Sequence, residues 1–516
     1  MERHRSSSIV HRSWHMGVIR RQSLKHSAVN LVGLGVGGLS TFFIYPHALE
    51  AYGLAQVLLS VGMIGLPVLS LGANTVVIRF FPKFQDKSSG HHGFLPLLML
   101  MCAIGCSLAL VLAWIFWDPF TAMLESKSPL LRDYLWMSFP IAFCYITSSV
   151  LSSYSANFKR IVVPSLLLDF SQKIALPVVL IAVWQNWINL DLAMWGLVLH
   201  AALVTAGLVF YLKHIGEWHW MPDWDFIQPA LRKELLQFIG FGAFGGFALL
   251  VAAKSDLFMV GSLQAVKAAG VYAIAAYLAT VIEIPTKSLY AASASSVAQY
   301  LANNNRPAME TLYKSVSINL LVAGLLLFGS IWISIDSLFN LLPNGEELAE
   351  GKWVFLFIGL ARVVEMGTGL NNYMVYYSQY YRYSLFSLGI LAATNILLSI
   401  WLIPKMGIMG AAVATMLSIT GYNAISIGLV WLKFGLQPFT SNTFKTIGLA
   451  LGAFVMANLI PLSGYDLVDL ALRSGFFALI FGVLALRFRV SEDLNGLEVL
   501  VKDKWKKRNK KGGKAQ

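Results

Sequence analysis

Charge is scarce in this sequence. Asp, Glu, Lys and Arg make up 13% of its 516 residues, about half the share of an ordinary soluble domain. Cysteine is scarcer: Cys102, Cys106 and Cys144 are the only three. All three fall inside apolar runs, so a disulfide framework is not expected and they read as small packing residues. No phosphate-cradling G-x-x-x-x-G-K-[ST] is present. Gly351-Lys352 is followed by Trp353, so direct use of ATP by this chain is not expected. The N-terminus lacks a signal-peptide pattern; its first apolar run is span-length with no small-residue cleavage site, and it is kept as a span. Long connections are also missing. No loop assigned to the outer side exceeds roughly eighteen residues, which leaves a membrane glycan-processing enzyme little structure for holding an acceptor.

What is abundant is apolar sequence. Hydrophobic residues make up 57% of the chain and the mean hydropathy is +0.65. Runs of about 20 apolar residues, enough to cross a hydrocarbon core of about 30 Å, recur from end to end. The chain is expected to be an all-α polytopic membrane protein with about fourteen spans. They are placed at 24–45, 53–78, 93–117, 134–156, 161–184, 190–213, 236–258, 270–293, 311–335, 352–374, 382–404, 408–433, 444–462 and 467–488. The organisation expected is a basic tail (1–23), a six-helix bundle (24–213), an amphipathic linker (214–235), a second six-helix bundle (236–433), an extra helix pair (444–488) and a second basic tail (489–516).

The net charge of +13 is concentrated at the ends. Arg3, Arg5, Arg12, Arg20, Arg21 and Lys25 open the chain; Arg487, Arg489, Lys502, Lys504, Lys506, Lys507, Arg508, Lys510, Lys511 and Lys514 close it. Basic clusters beside spans are topology signals and bind anionic lipid head groups, so membrane lipid rather than nucleic acid is the expected partner. With both termini cytoplasmic, about 29 of the 39 Lys and Arg fall inside and about 5 outside, as the charge rule requires. Between Lys213 and Glu234, Trp218, Trp220 and Trp224 lie among His214, His219, Asp223 and Asp225. The His spacing matches no metal motif, so no metal site is expected, and the tryptophans read as interfacial anchors. His91-His92 is read the same way, and Leu494–Lys507 as a surface-lying amphipathic helix.

The stretch Phe238–Gln299 organises the rest. It reads as two spans that carry Lys254, Asp256, Glu283, Pro285 and Lys287. Gly270-Val271-Tyr272-Ala273 with Pro285 and Ser288 echoes Gly53-Leu54-Ala55 with Pro67 and Ser70, 217 residues earlier. Repeated hairpins of this kind point to two homologous bundles, a common build of secondary transporters. Intramembrane charge costs about 2.5–3.5 kcal/mol per residue on insertion scales, so such groups face a protein interior or a wet cavity. Lys173, Lys254, Lys287, Arg362 and Arg473 are the basic residues in or at the edges of apolar segments, with Arg79 at an inner span end. Helix rise sets Lys173, Glu283 and Arg362 near mid-membrane in three different spans. Internal pairing is the ordinary alternative. Asp169/Lys173 and Glu283/Lys287 are i, i+4 pairs and Arg362/Glu365 is an i, i+3 pair. Arg473, near the outer end of an extra span, is expected to snorkel.

Gly407-Ile408-Met409-Gly410-Ala411-Ala412-Val413-Ala414-Thr415, preceded by Ile403-Pro404, resembles the loop and start of the twelfth span of polysaccharide exporters. These belong to the multidrug/oligosaccharidyl-lipid/polysaccharide (MOP) exporter superfamily. Similar features are Tyr52-Gly53, Asn74 through Arg79-Phe80-Phe81-Pro82, and Ser255-Asp256 followed by Gly270-Val271-Tyr272. The resemblance covers nearly all of residues 24–488 and looks like the fourteen-span type. It implies two pseudo-symmetric six-helix bundles around a central cavity, and transport of a lipid-linked glycan, or export of drugs, by alternating access.

On that resemblance the chain is expected to flip a polyprenyl-diphosphate-linked oligosaccharide across a bacterial inner membrane, without catalysing a reaction. Arg362, Lys173, Lys287, Lys254 and Arg79 would form a cationic site, since Arg and Lys stabilise an anionic head group in a cavity. Asp256, Glu283, Glu365 and Asp169 are the candidates for coupling to a proton or sodium ion. No organic cofactor or resident metal is expected. The partners implied are the lipid-linked glycan, membrane lipids and polysaccharide polymerase machinery, and the chain is expected to act as a monomer. The rival readings are a cation-coupled multidrug exporter and a membrane glycan-processing enzyme.

Overall fold

In lipid every backbone N–H and C=O must be satisfied inside the protein, and an apolar run of about 20 residues meets that demand by closing into a helix. The computed structural model describes Val29 and residues 31–496, and within them there are helices and no strands. The basic tail 1–23, the opening of the first expected span and most of Leu494–Lys507 lie outside the described residues.

In chain order the helices are α1 (Leu31–Phe43), α2 (Leu49–Leu69), α3 (Ala73–Phe84), α4 (Phe94–Glu125), α5 (Ser138–Asn157), α6 (Ser171–Trp184), α7 (Leu190–His214) and α8 (Pro229–Leu263). They continue as α9 (Val266–Ile282), α10 (Ile284–Ala302), α11 (Arg306–Trp332), α12 (Gly351–Thr368), α13 (Tyr381–Met406), α14 (Ile408–Phe434), α15 (Ser441–Asn458) and α16 (Asp466–Arg487). Each of the fourteen expected segments coincides with a helix or a broken pair. Among the described residues ten helices are long and apolar enough to cross a membrane, or eleven if the bent pair α9–α10 is one span. The chain is a multi-pass membrane protein. The remaining segments, α1, α12 and α15, are shorter or less apolar.

The two hairpins linked by sequence are both interrupted. The first breaks between α2 and α3 at Ser70–Gly72. The second bends by 45° between α9 and α10 at Glu283. Proline explains the second break: Pro285 occupies the first turn of α10, has no N–H to donate, and crowds the preceding residues out of a continuous helix. Before α6, residues Leu166–Phe170 form a π-helical turn, which shifts the side-chain register just ahead of Lys173.

By packing, the chain divides into two compact units, Met1–Gly270 and Val271–Gln516. The core of the first is aromatic, with Phe80, Phe81, Phe84, Phe94 and Tyr154 gathered where α3, α4 and α5 meet. In the second unit Ala450, Ala453 and Ala457 form one face of α15, against which Phe477 and Phe481 of α16 pack. Small residues at that spacing let helices approach closely without a hydrophobic driving force. Arg473 donates to the Ile460 carbonyl at 2.6 Å. Its guanidinium thus reaches the main chain just beyond the end of α15.

Gly53 of α2 and Gly270 of α9, the two glycines matched in the repeat, lie against each other. A Cβ on Gly53 would fall 1.8 Å from the Val266 carbonyl oxygen, and one on Gly270 2.4 Å from that of Leu49. Both contacts are with backbone, which cannot yield as a side chain does. Overpacking of this kind costs about 1–3 kcal/mol or more. Gly53→Ala should therefore lower the melting temperature of the purified protein by several degrees. Gly35→Ala, where nothing lies within 4 Å, should leave it unchanged. Equal melting of the two variants would contradict the close approach.

Candidate functional site

Of the nine charged residues singled out from sequence, Glu283, Lys287, Arg362 and Glu365 belong to the second unit. There they line one cavity of about 210 Å³ together with Thr286 and Met366. The break between α9 and α10 creates the site. Glu283 caps α10, yet its side chain does not bond to the helix N-terminus. It reaches instead to α12, where its carboxylate meets Arg362 Nε at 2.5 Å. One turn along α12, Glu365 takes Arg362 Nη1 at 3.0 Å. Lys287 sits one turn into α10 on the same cavity wall.

One guanidinium is therefore held between two carboxylates. The i, i+3 pair expected at Arg362/Glu365 is formed, whereas Glu283 turns to Arg362 across the helix break. With Lys287 the site carries two positive and two negative groups. Arg362, Glu283 and Glu365 are 26%, 24% and 30% exposed, and the cavity has room for several waters. The planar five-donor fork of arginine suits two acceptors at once, which lysine could not match.

The other face of α12 is different. Residues 362, 365 and 366 lie on one side at helical spacing, and 360, 363, 364 and 367 on the opposite side. This second face borders a larger, partly open cavity of about 850 Å³, lined by α11, α12, α14, α15 and α16. Leu325, Phe328, Trp332, Val364, Ile447 and Phe477 give it an almost wholly apolar wall. At the end of α12 polar groups border the apolar cavity. The Thr368 hydroxyl lies 2.8 Å from the Glu365 carbonyl and 3.0 Å from Asn423 Oδ1. Asn371 donates to the same Asn423 oxygen. The Tyr290 hydroxyl donates to the Gly369 carbonyl at 2.8 Å, one of the acceptors freed where the helix stops.

Thr368, Asn371, Asn423 and Tyr290 were not singled out from sequence. A signal was present: Gly367-Thr368-Gly369 followed by Asn371-Asn372 is an unusual polar interruption of an apolar segment. Arg79, Asp169, Lys173, Lys254 and Asp256 belong to the first unit. Arg79 stacks over Phe238 at 4.5 Å. Asp169 accepts from the Ser165 hydroxyl at 3.2 Å, and the π turn alters the register on which its pairing with Lys173 was expected. Lys173 lies along α1, where a Cβ on Gly33 would come within 3.1 Å of its Nζ. Asp256 is buried and accepts from the Leu257 N–H at 2.8 Å. Lys254 is half-buried on α8, the helix that carries Asp256. Arg79 thus lies on an aromatic face and Lys173 beside a neighbouring helix.

The motif Gly407–Thr415 has a structural reason. Gly407 has φ +59°, a left-handed conformation that glycine adopts without penalty. A Cβ on Gly410 would lie 2.4 Å from the Leu402 carbonyl oxygen. The pair makes the tight turn by which α14 folds back along α13.

Removing Arg362 would leave two carboxylates facing each other in a confined cavity. Breaking a buried ion pair from one side costs about 3–5 kcal/mol, and here the lower end applies because the cavity is wet. Arg362→Ala should lower the melting temperature markedly. Adding Glu283→Gln and Glu365→Gln to it should restore at least half of the loss. A melting temperature for Arg362→Ala within a degree of the native protein would contradict the pairing.

No protein-family profile and no curated protein sequence matches this chain. Solved structures do. The inward-closed lipid II flippase MurJ superposes with TM-score 0.70 at 12% identity, covering 90% of this chain and 98% of that one. An inward-facing multidrug resistance MATE family transporter of the MOP superfamily gives 0.54 at 13%, covering 80% and 94%. A MOP superfamily transporter from Pyrococcus furiosus gives 0.51 at 12%, covering 81% and 95%. These neighbours are flippases and transporters. At such identities the likeness shows the fold, and the resemblance read from Gly407–Thr415 and its companion motifs holds at that level.

Proposed function

We infer that this protein is a flippase for a lipid with an anionic head group. The substrate proposed is a polyprenyl-diphosphate-linked oligosaccharide such as a repeat unit of O-antigen, capsule or exopolysaccharide. It is carried from the inner to the outer leaflet of a bacterial cytoplasmic membrane by alternating access. The observation that carries this reading is the two-faced helix α12, with Arg362 on a polar cavity and an apolar cavity of about 850 Å³ behind it. An amphiphile needs both kinds of surface. A small polar solute would need only the first, and its transporter would gain nothing from the second.

In the geometry described, Arg362 is neutralised by Glu283 and Glu365. A diphosphate can recruit the guanidinium once one carboxylate takes up a proton, which gives a route for proton coupling through Glu283 or Glu365. Sodium held by the same carboxylates would free Arg362 in the same way. Lys287, on the same wall, adds a second cation. In this reading both termini are cytoplasmic, the glycan polymerase takes the delivered substrate, and the protein forms and breaks no covalent bond. One observation favours a second reading: two carboxylates on a wet cavity would also suit an organic cation, as in a multidrug exporter.

The test is deletion of the gene in its native host, with complementation by the wild type and by Arg362→Lys. Arg362→Lys keeps the charge and loses the two-acceptor fork. Loss of the protein should make diphosphate-linked glycans accumulate facing the cytoplasm and lower surface polysaccharide. Arg362→Lys, expressed at wild-type level, should restore about a tenth of the flux or less. Normal carrier levels with new sensitivity to cationic dyes would replace this reading with the drug-exporter one.

A further inference from the structure

At one end of the first unit, two connecting segments are clasped together. The loop between α3 and α4 runs through Gly90, His91, His92 and Gly93, all four at left-handed φ between 50° and 64°. For the two histidines that conformation is uncommon and persists only where the surroundings enforce it. The surroundings are the segment between α7 and α8. His92 Nδ1 donates to the Asp223 carboxylate at 2.9 Å, and the ring stacks flat on Phe226 at 3.8 Å. Hydrogen bonds from Ser88 hold the Asp86 carboxyl below the usual carboxylate range, and the bond to His92 does the same for Asp223.

From Glu217 to Pro222 the chain has no regular secondary structure. In an extended segment alternate residues face the same way. Trp218 and Trp220 stack on each other at 5.4 Å, while Glu217 and His219 both turn to His91. His91 Nε2 lies 3.0 Å from Glu217 Oε2, and the His91 and His219 rings approach to 5.7 Å. One ligand atom from each of the three residues falls within 4.8 Å of the other two. The His91 side chain is 1% exposed, and its Nδ1 has no hydrogen-bond partner.

We propose that His91, Glu217 and His219 form a binding site for a divalent transition-metal ion of the zinc type. Two imidazoles and a carboxylate are a borderline-soft ligand set that favours zinc and its first-row neighbours over magnesium or calcium. Around tetrahedral zinc, ligands at about 2.0–2.1 Å are spaced about 3.3 Å apart. The His91–Glu217 separation of 3.0 Å is already near that spacing, and His219 closes in by a small turn of an exposed segment. The fourth position is left to water. The ion would replace the proton shared by His91 and Glu217 and staple the α7–α8 connection to the α3–α4 loop. Lys87, 3.5 Å from the other oxygen of Glu217, is the competing cation. The site is separate from the transport cavity and does not rest on the function proposed above.

The test is zinc titration of the full-length detergent-solubilised protein, freed of its purification tag and stripped with EDTA. It uses a background in which His4, His11 and His15 are alanine, which removes three of the imidazoles outside the proposed site. One zinc per chain should bind with micromolar affinity or better and raise the melting temperature. Glu217→Gln and His219→Ala should each weaken binding at least thirtyfold, and His214→Ala should leave it unchanged. Lys87→Ala should tighten it severalfold, and this variant disturbs only an exposed side chain. Absence of stoichiometric binding, or equal affinity in Glu217→Gln, His219→Ala and the parent protein, would overturn the proposal.

Discussion

The structure depends on how it keeps a charge inside apolar helices. Arg362 cannot lie against lipid, and it cannot be buried alone. The fold meets both conditions by breaking one span at Pro285 and letting Glu283 cross to α12, where Glu365 completes the pairing. The break is what frees Glu283 from its own helix. Without Pro285 the i, i+4 geometry with Lys287 would take it, and Arg362 would keep one partner. The gap left at the break is the cavity itself, so a constraint of desolvation produces a strongly charged pocket in the second unit.

From there the rest of α12 follows. A helix with Arg362 and Glu365 on one face can bury only its other face in an apolar setting, and α11, α14, α15 and α16 supply one. They do not close against it completely, and Ala450 and Phe477 line the space that remains. The consequence is an apolar space on one face of α12 and a charged one on the other. That pairing of environments is what an amphiphile requires. The lipid-flippase proposal rests on that pairing.

Much of this was legible in sequence because the membrane imposes strong rules. Apolar run length located the long helices, and the echo between Gly53 and Gly270 marked two residues that meet in the fold. The pairing of Arg362 with Glu365 followed from spacing along one helix. What spacing could not give was any contact across helices. Glu283 was assigned to Lys287 because they share a helix, and the competing partner was 79 positions away. Likewise His91 and Glu217 stand 126 residues apart, and only the left-handed turn at 90–93 brings them together. The π turn at Leu166–Phe170, just ahead of Lys173, is an irregularity that spacing does not reveal. The apolar cavity was invisible for the same reason: a wall of Leu, Phe and Val reads identically whether or not the facing helix fills it.

The most direct test of the account is ligand discrimination by native mass spectrometry of the purified protein. Polyprenyl diphosphate, the same polyprenol without phosphate, and an organic cation such as ethidium would be offered at equal concentration. The account predicts retention of the diphosphate over the free polyprenol, lost in Arg362→Ala and also in Ala424→Trp, which fills the apolar cavity. Equal retention of polyprenol and its diphosphate, or preferential retention of ethidium, would contradict it.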